Sequence, residues 1–393
     1  MSSREVFICA AARTPIGAFQ GALQDLSAPR LGAVAVSAAL ARSGLGPDDV
    51  QETWLGNVLT AGAGQAPARQ AAKAAGIPDR VPATTIGKVC GSGLQSVILG
   101  TKSILLGDAD VVVAGGMESM SQAPYLLPQA RNGFRMGHGK VIDSMIHDGL
   151  WDPYNDYHMG NAGELCARER GFSREAQDEF AVASYKKALA AQESKAFDAE
   201  LAPVTIESRS GKVVVSEDEE PKRVKFDKIP SLRPAFDKAG TITAANASKI
   251  DDGAAALVLA SGDVVRARGL TPLARIVGYG AHAQQPEWFT TAPVGAIQAA
   301  CRRTGLSTRD IDLYEINEAF AVVAMVTAKD CELDPASVNV RGGAIALGHP
   351  IGASGARILT TLVHALRDLG KKRGLATLCI GGGEAVAVIV ETV

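Results

Sequence analysis

Cys90 occupies a setting that a plain core cysteine does not need. It lies in Lys88-Val89-Cys90-Gly91-Ser92-Gly93, at a turn ahead of Leu94, Val97, Ile98, Thr101, Ile104 and Leu105, which have the i, i+3, i+4, i+7 spacing of a buried helix stripe. Backbone N–H groups at a helix start favour a thiolate and lower a thiol pKa, and the flanking glycines admit a bulky acyl group close to the backbone. His349 stands in Gly348-His349-Pro350-Ile351-Gly352-Ala353-Ser354-Gly355, where Pro350 fixes one backbone angle and blocks helix at His349. An imidazole so held suits deprotonation of a thiol. Cys379 ends an apolar strand just before Gly381-Gly382-Gly383. There Gly381 can turn its N–H toward a developing oxyanion while Cys379 moves protons. Asn317, in Asn317-Glu318-Ala319-Phe320, reads either as the N-cap of a helix or as an amide holding a water near a substrate carbonyl.

Each feature alone has an ordinary explanation. A free cysteine is often just a small core hydrophobe, and a lone loop histidine is usually inert. The glycine run after Cys379 lacks the GxGxxG spacing and the Lys-Ser/Thr of phosphate loops, which weakens a nucleotide-binding reading. The conjunction of all four is what decides.

The elements that must position these residues alternate strand and helix. Residues 5–10, 52–59, 83–86 and 110–114 read as strands, and 28–43 (closed near Gly44), 66–75 and 93–106 as helices. Such alternation predicts a mostly parallel sheet covered by helices. From about 117 to 250 the texture changes, with a helix over 174–192 opened by Ser173 and a hairpin of 204–207 with 212–215 around Ser210-Gly211. This stretch reads as an excursion on top of the sheet, where open α/β folds gather ligand contacts. The alternation then resumes, with strands at 254–260, 274–279, 313–316, 338–340, 376–380 and 385–390 and helices at 295–304, 319–328 and 355–369.

The chain also carries an approximate repeat. Cys90-Gly91-Ser92-Gly93-Leu94, helix, strand, Gly115-Gly116-Met117-Glu118 is matched by Gly352-Ala353-Ser354-Gly355-Ala356, helix, strand, Gly381-Gly382-Gly383-Glu384. The second copy is longer by the basic turn Lys371-Lys372-Arg373-Gly374. Two related halves packed together would bring both glycine loops to a common surface.

At 393 residues the chain suits two or three domains, and 47% apolar with 21% charged residues permits a large core and argues against general disorder. A formal charge of −2 gives no electrostatic reason to expect nucleic acid or an anionic membrane as partner. The cysteines are scattered without CxxC pairs, which argues against metal ligation and a secreted disulfide framework. The first apolar run starts at Val6, leaving no room for a basic leader, and no run reaches the ~20 residues of a membrane span. A soluble, cytoplasmic protein is expected.

Four motifs together resemble the thiolase family: Cys-Gly-Ser-Gly-Leu-Gln at Cys90, Asn-Glu-Ala-Phe at Asn317, Gly-His-Pro-Ile-Gly-Ala-Ser-Gly at His349 and Cys-Ile-Gly-Gly-Gly at Cys379. The resemblance extends over nearly the whole chain, including Arg13-Thr14-Pro15-Ile16-Gly17 and Gly115-Gly116-Met117-Glu118-Ser119-Met120. It implies an α/β thiolase fold, two related βαβαβαββ halves in a five-layered αβαβα arrangement with an inserted loop domain. The implied division is 1–120 with 246–270 as the N-terminal half, 121–245 as the insert and 271–393 as the C-terminal half.

The resemblance also implies a chemistry, in which His349 activates Cys90 and Cys90 takes an acyl group from an acyl-CoA. Cys379 then draws a proton from the methyl carbon of a second acetyl-CoA. One oxyanion hole is implied at His349 with a water held by Asn317, the other at the N–H groups of Cys90 and Gly381. The expected reaction is reversible condensation of two acetyl-CoA to acetoacetyl-CoA plus CoA, an acetyl-CoA C-acetyltransferase activity. The alternative is a broader 3-ketoacyl-CoA thiolase of fatty-acid β-oxidation. Coenzyme A is a substrate, and no cofactor or metal is expected. Its contacts are carried over to Leu150, His158, Met159, Phe236, Ala244, Ser248 and Phe320, with Lys222 or Arg223 facing the nucleotide. A homotetramer joined through the 137–149 loop is implied, with no nucleic-acid or membrane partner. Tyr157-His158-Met159-Gly160 and that loop look most like the short-chain type.

Departures from the pattern are Lys249, where a glycine is usual, Asn161-Ala162-Gly163-Glu164, and Trp288-Phe289 in a pocket-wall segment. Condensing enzymes of the ketosynthase kind usually pair the cysteine with two histidines or with His and Asn, so Cys379 argues against that reading. A silent acyl-CoA binder on the same scaffold would not need all four chemical residues.

Overall fold

The computed structural model describes residues 4–208 and 211–393. One mixed sheet runs through both halves in the order Leu313–Ile316, Arg373–Ile380, Glu384–Glu391, Ala274–Ala283, Val6–Arg13, Asp251–Ser261, Val111–Ser119, Glu52–Gly56, Ala83–Ile86. The halves join at its centre, where Val6–Arg13 and Ala274–Ala283 pair only through Phe7 with Arg275 and Ile8 with Ala274.

The repeat seen in the sequence is a repeat of topology. The first half runs Val6–Arg13, helix Ala28–Ser43, Glu52–Gly56, helix Pro67–Ala74, Ala83–Ile86, helix Ser92–Leu106, Val111–Ser119, Asp251–Ser261. The second runs Ala274–Ala283, helix Ala292–Thr304, Leu313–Ile316, helix Ala321–Asp330, a bridge at Val338, helix Ile351–Asp368, Arg373–Ile380, Glu384–Glu391. Helices Ser92–Leu106 and Ile351–Asp368 pack on each other between the two parts of the sheet. Ala28–Ser43 with Pro67–Ala74 covers one outer face, and Ala292–Thr304 the other. The result is five layers, αβαβα.

The middle layer explains the most apolar stretch of the chain. Leu94, Val97, Ile98 and Ile104 meet Ile358, Leu359, Leu362 and Val363, with Val112, Leu257, Leu378 and Val388 of the sheet around them. Burying each such side chain is worth roughly 1.5–3 kcal/mol. Val89–Leu106 therefore has the length and hydropathy of a membrane span because it lies between two sheet faces.

The alternation predicted a mostly parallel sheet, and this is corrected. Among the described strands, parallel pairing is confined to Glu52–Gly56 with its two neighbours and to Leu313–Ile316 with Arg373–Ile380, isolated bridges apart. Glu384–Glu391 returns from Arg373–Ile380 through the Gly381–Gly383 turn, and a tight hairpin can only join antiparallel strands. The strand expected at 338–340 is reduced to one bridge, Tyr314 to Val338. Asn339 turns left-handed (φ 46°), and its side chain takes over the ladder, accepting from Ile316 N at 2.8 Å and donating to Ile316 O at 2.9 Å.

Val111–Ser119 continues well past residue 114 through Gly115 and Gly116, where any Cβ would run into the backbone of Ala255 and of Gly352. Between Ser119 and Asp251 lie helices Met159–Arg170 and Arg174–Glu193 and the hairpin Val204–Ser208 with Gly211–Val215. Ser210, expected in its turn, lies outside the described residues. Arg13, fully buried, ties this excursion to the first strand through Glu200 at 2.6 Å and Asp218 at 2.6 and 2.9 Å.

Candidate functional site

The two middle helices cross at their first turns. A Cβ on Gly93 would lie 2.7 Å from Ala356 N, and one on Gly355 would collide with Leu94 N. These positions are equivalent in the repeat, so the contact is nearly reciprocal, like an isologous interface. The loops that open the helices, one carrying Cys90 and the other His349, therefore emerge at the same end of the middle layer. Glu118 links them. Its carboxylate accepts from Val58 N (3.0 Å), Leu59 N (3.1 Å), Asn57 Nδ2 (2.5 Å) and, across the halves, Gly352 N (2.9 Å). Burial pushes Glu118 up to about 7 against the pull of these donors.

The Cys90 turn is strained and well braced. Val89 has φ 43°, a rare region for a β-branched residue. Gly91 N donates to Lys88 O at 3.0 Å and Ser92 N to Val89 O at 3.1 Å. Ser92 Oγ donates to Val89 O at 2.7 Å and accepts from Lys88 N at 2.8 Å. The turn leaves Cys90 half-buried, within reach of the N–H of Gly381. Burial pushes the Cys90 thiol up to about 11, although the N–H groups of Gly381 and Cys90 itself pull it down. The expected lowering of this pKa by the helix start is thus corrected, because desolvation outweighs it.

Cys379 is fully buried, and its thiol is raised by burial and by the neighbouring Cys90 and Cys166 thiols. It packs beside Met159, Phe289, Ala319 and Phe320. The two loops also share an ion pair, Lys88 with Glu384.

His349 is held on three sides. Its backbone N–H donates to Asp251 Oδ2 at 2.8 Å, Nδ1 lies 2.5 Å from Ser354 Oγ, and Nε2 lies 3.5 Å from Asn317 Nδ2. The Ser354 hydroxyl donates to Pro350 O at 2.9 Å, so this network assigns the ring proton to Nδ1 and leaves the Nε2 lone pair toward Asn317. Burial, with the charge of Arg357, lowers His349 to about 3. The imidazole is neutral at rest. Asn317 is not an N-cap, since the next helix starts at Ala321 behind Phe320. Instead its N–H donates to Thr377 O at 3.0 Å, which seats it at the strand end beside the approach to Cys379.

The residues carried over for coenzyme A fall into groups. The His158 ring stacks on Phe236 (4.7 Å, 22°), Phe236 meets Phe320 edge-on (5.9 Å, 86°), and Met159 lies beside Gly381. His158 Nδ1 accepts from Gly160 N at 3.0 Å, and burial lowers the pKa of the ring. Leu150 packs in the same apolar cluster as Cys90. Ser248 N donates to Ala319 O at 3.0 Å, and Ala244 is exposed. Lys222 and Arg223 part company. Lys222 pairs with Glu217 and lines a cavity with Arg42 and Phe197, which belong to a different region. Arg223 lies 3.5 Å from both Glu219 and Glu220, and Glu220 faces Lys249.

Ser354, Asp251 and Glu118 do not stand out in the sequence as site residues. The repeat carried a signal for Ser354, the counterpart of Ser92; Asp251 carried none.

Comparison with known proteins gives a consistent result. Residues 6–263 match the family model described as thiolase, N-terminal domain, and residues 270–392 that described as thiolase, C-terminal domain. The chain is 53% identical over 389 residues to the acetyl-CoA acetyltransferase of Cupriavidus necator, covering 98% of this chain and 99% of that one. It is similar in structure to a thiolase of Ascaris suum in complex with coenzyme A (TM-score 0.94, 45% identity, 99% and 100% covered). It is also similar in structure to the Bacillus anthracis acetyl-CoA acetyltransferase (TM-score 0.97, 42% identity, 100% and 99% covered).

Proposed function

The chain belongs to the thiolase family, and from that we propose that it is an acetyl-CoA C-acetyltransferase, condensing two acetyl-CoA to acetoacetyl-CoA and CoA. The observation that carries this reading is the meeting of the Cys90 thiol, the Gly381 N–H and the Cys379 thiol at the end of the middle layer where His349 is held.

Cys90 Sγ attacks the thioester carbon as its proton passes to His349. With the thiol at about 11 and the imidazole at about 3, a free thiolate–imidazolium pair does not accumulate, so transfer accompanies C–S bond formation. The N–H groups of Cys90 and Gly381 receive the oxyanion. His349 passes the Cys90 proton on to the departing coenzyme A sulfur and returns to its neutral form. With the second acetyl-CoA bound, Cys379 takes a proton from its methyl carbon as the Cys379 thiol proton passes to His349, so here too no charged pair accumulates beforehand. His349 and an Asn317-held water stabilise the enolate oxygen. The carbanion attacks the acyl group on Cys90, and the released sulfur regains its proton from His349.

The short-chain preference is supported by bulk at the wall. Phe289 is buried and meets Phe320 edge-on at 6.4 Å, in the same apolar cluster as Cys379. Of the two basic candidates, Arg223 suits the nucleotide better, since it borders the Ala244–Lys249 turn. A tetramer fits the exposure of Tyr125, Leu127, Met136 and Val141 in one excursion. Light scattering on a Leu127→Asn, Met136→Ser, Val141→Thr variant tests that assembly; an unchanged mass would remove these exposed residues from it. For the activity, thiolysis of acetoacetyl-CoA is compared with that of longer 3-ketoacyl-CoA substrates. A higher kcat/KM for the four-carbon substrate is expected, and the reverse order would favour the broad β-oxidation type.

A further inference from the structure

Lys249, the departure that follows Ser248, is bound as a lone cation would be. Its Nζ donates to Ala244 O at 2.6 Å, Ala247 O at 3.2 Å and Ile345 O at 3.5 Å, and it lies 5.5 Å from the centroid of the Tyr185 ring. Carbonyl oxygens and an aromatic face are what a dehydrated ammonium needs. The charged groups facing it are Glu220 and Asp251. Asp251 in turn accepts from His349 N at 2.8 Å.

The carbonyls come from two separate parts of the chain. Ala244 and Ala247 belong to the turn that presents Ser248, whereas Ile345 lies in the short helix Ala344–Leu347, which leads through Gly348 to His349. We infer that Lys249 is a positioning residue, a tethered cation that staples the Ser248 turn to the segment leading to His349 and so sets the coenzyme A arm against the imidazole. The inference rests on the thiolase reading, through the assignment of the turn to coenzyme A. No proton of Lys249 takes part in the reaction.

Two variants separate the ammonium from its stem. Lys249→Ala removes both and opens space for a free cation, while Lys249→Met keeps the stem packed and removes the donors. Hydrogen bonds to a charged group are strong enough that KM for acetoacetyl-CoA is expected to rise about 10-fold in each, with a smaller fall in kcat. Ammonium chloride is expected to restore KM in Lys249→Ala but not in Lys249→Met. Tetramethylammonium chloride at equal ionic strength, too large for the carbonyl pocket, should restore neither.

An unchanged KM overturns the inference. So does a defect in Lys249→Ala that ammonium leaves in place, or one relieved equally by tetramethylammonium. Should Lys249→Ala not fold, Lys249→Met decides: a raised KM with a near-normal thermal midpoint supports the staple, and a normal KM removes it. The unaltered protein is assayed first. No thiolysis there would refute the thiolase reading, whereas normal thiolysis with indifferent variants refutes the staple alone.

Discussion

Nδ1 of His349 lies 2.5 Å from Oγ of Ser354, whose hydroxyl is already committed to Pro350 O at 2.9 Å. Ser354 is the repeat counterpart of Ser92, whose Oγ braces the Cys90 turn through Val89 O and Lys88 N. One serine in each half therefore holds the loop that opens its helix. In the first half it shapes the backbone before the nucleophile; in the second it also sets which nitrogen of the base is free.

Ser354→Ala should lower kcat about 10- to 100-fold and leave KM within about threefold, since a buried ring nitrogen loses its partner while substrate contacts stay. Steady-state thiolysis of acetoacetyl-CoA measures this. A normal kcat would show that ring orientation does not depend on Ser354.

The raised thiol pKa of Cys90 has a kinetic signature. Thiolate is the reactive form, so inactivation of the free enzyme by iodoacetamide should quicken roughly tenfold per pH unit between 7 and 10. His349→Asn should follow the same slope, because a neutral imidazole adds no charge to be lost. A plateau below pH 8 would indicate a preformed thiolate–imidazolium pair.

The two sulfurs should separate by half-reaction. Cys90→Ser is expected to abolish trapping of labelled acetyl groups on the protein. Cys379→Ser should still acylate, with condensation slowed by about 100-fold or more, since only the carbon-acid step loses its base. Equal loss of both half-reactions in Cys379→Ser would contradict the assignment.

Gly355→Ala tests the helix crossing. Alanine in a helix interior normally gains about 1 kcal/mol over glycine, yet here its methyl meets Leu94 N. A net loss of roughly 1–3 kcal/mol in denaturant unfolding is expected. A gain in stability would mean that the crossing is looser than described.

Legibility in the sequence followed how local each signal was. Ala28–Ser43, Ala83–Ile86 and Leu313–Ile316 were read at their observed bounds because caps, turns and apolar periodicity mark them within a few residues. The sheet direction was misread because Glu384–Glu391 and Asp251–Ser261 take their orientation from partners, not from their own residues. Asn339 shows a subtler failure, since a side chain there does the pairing that Val338 and Val340 advertised for the backbone. At the site, Cys90, Asn317, His349 and Cys379 could be read from their short motifs. Their pKa values could not, because burial is set by residues hundreds of positions away.

The crossing of Gly93 with Gly355 places Cys90 opposite Gly352 and His349 opposite Gly87 in the repeat register. A pair of identical chains related by the same axis would have to install every side chain twice, giving two thiols and two imidazoles around one small space. Joining both copies in a single polypeptide lifts that obligation. Cys90 and His349 each correspond to a glycine in the other half, and it is this permitted asymmetry that lets one half supply the nucleophile while the other supplies the base.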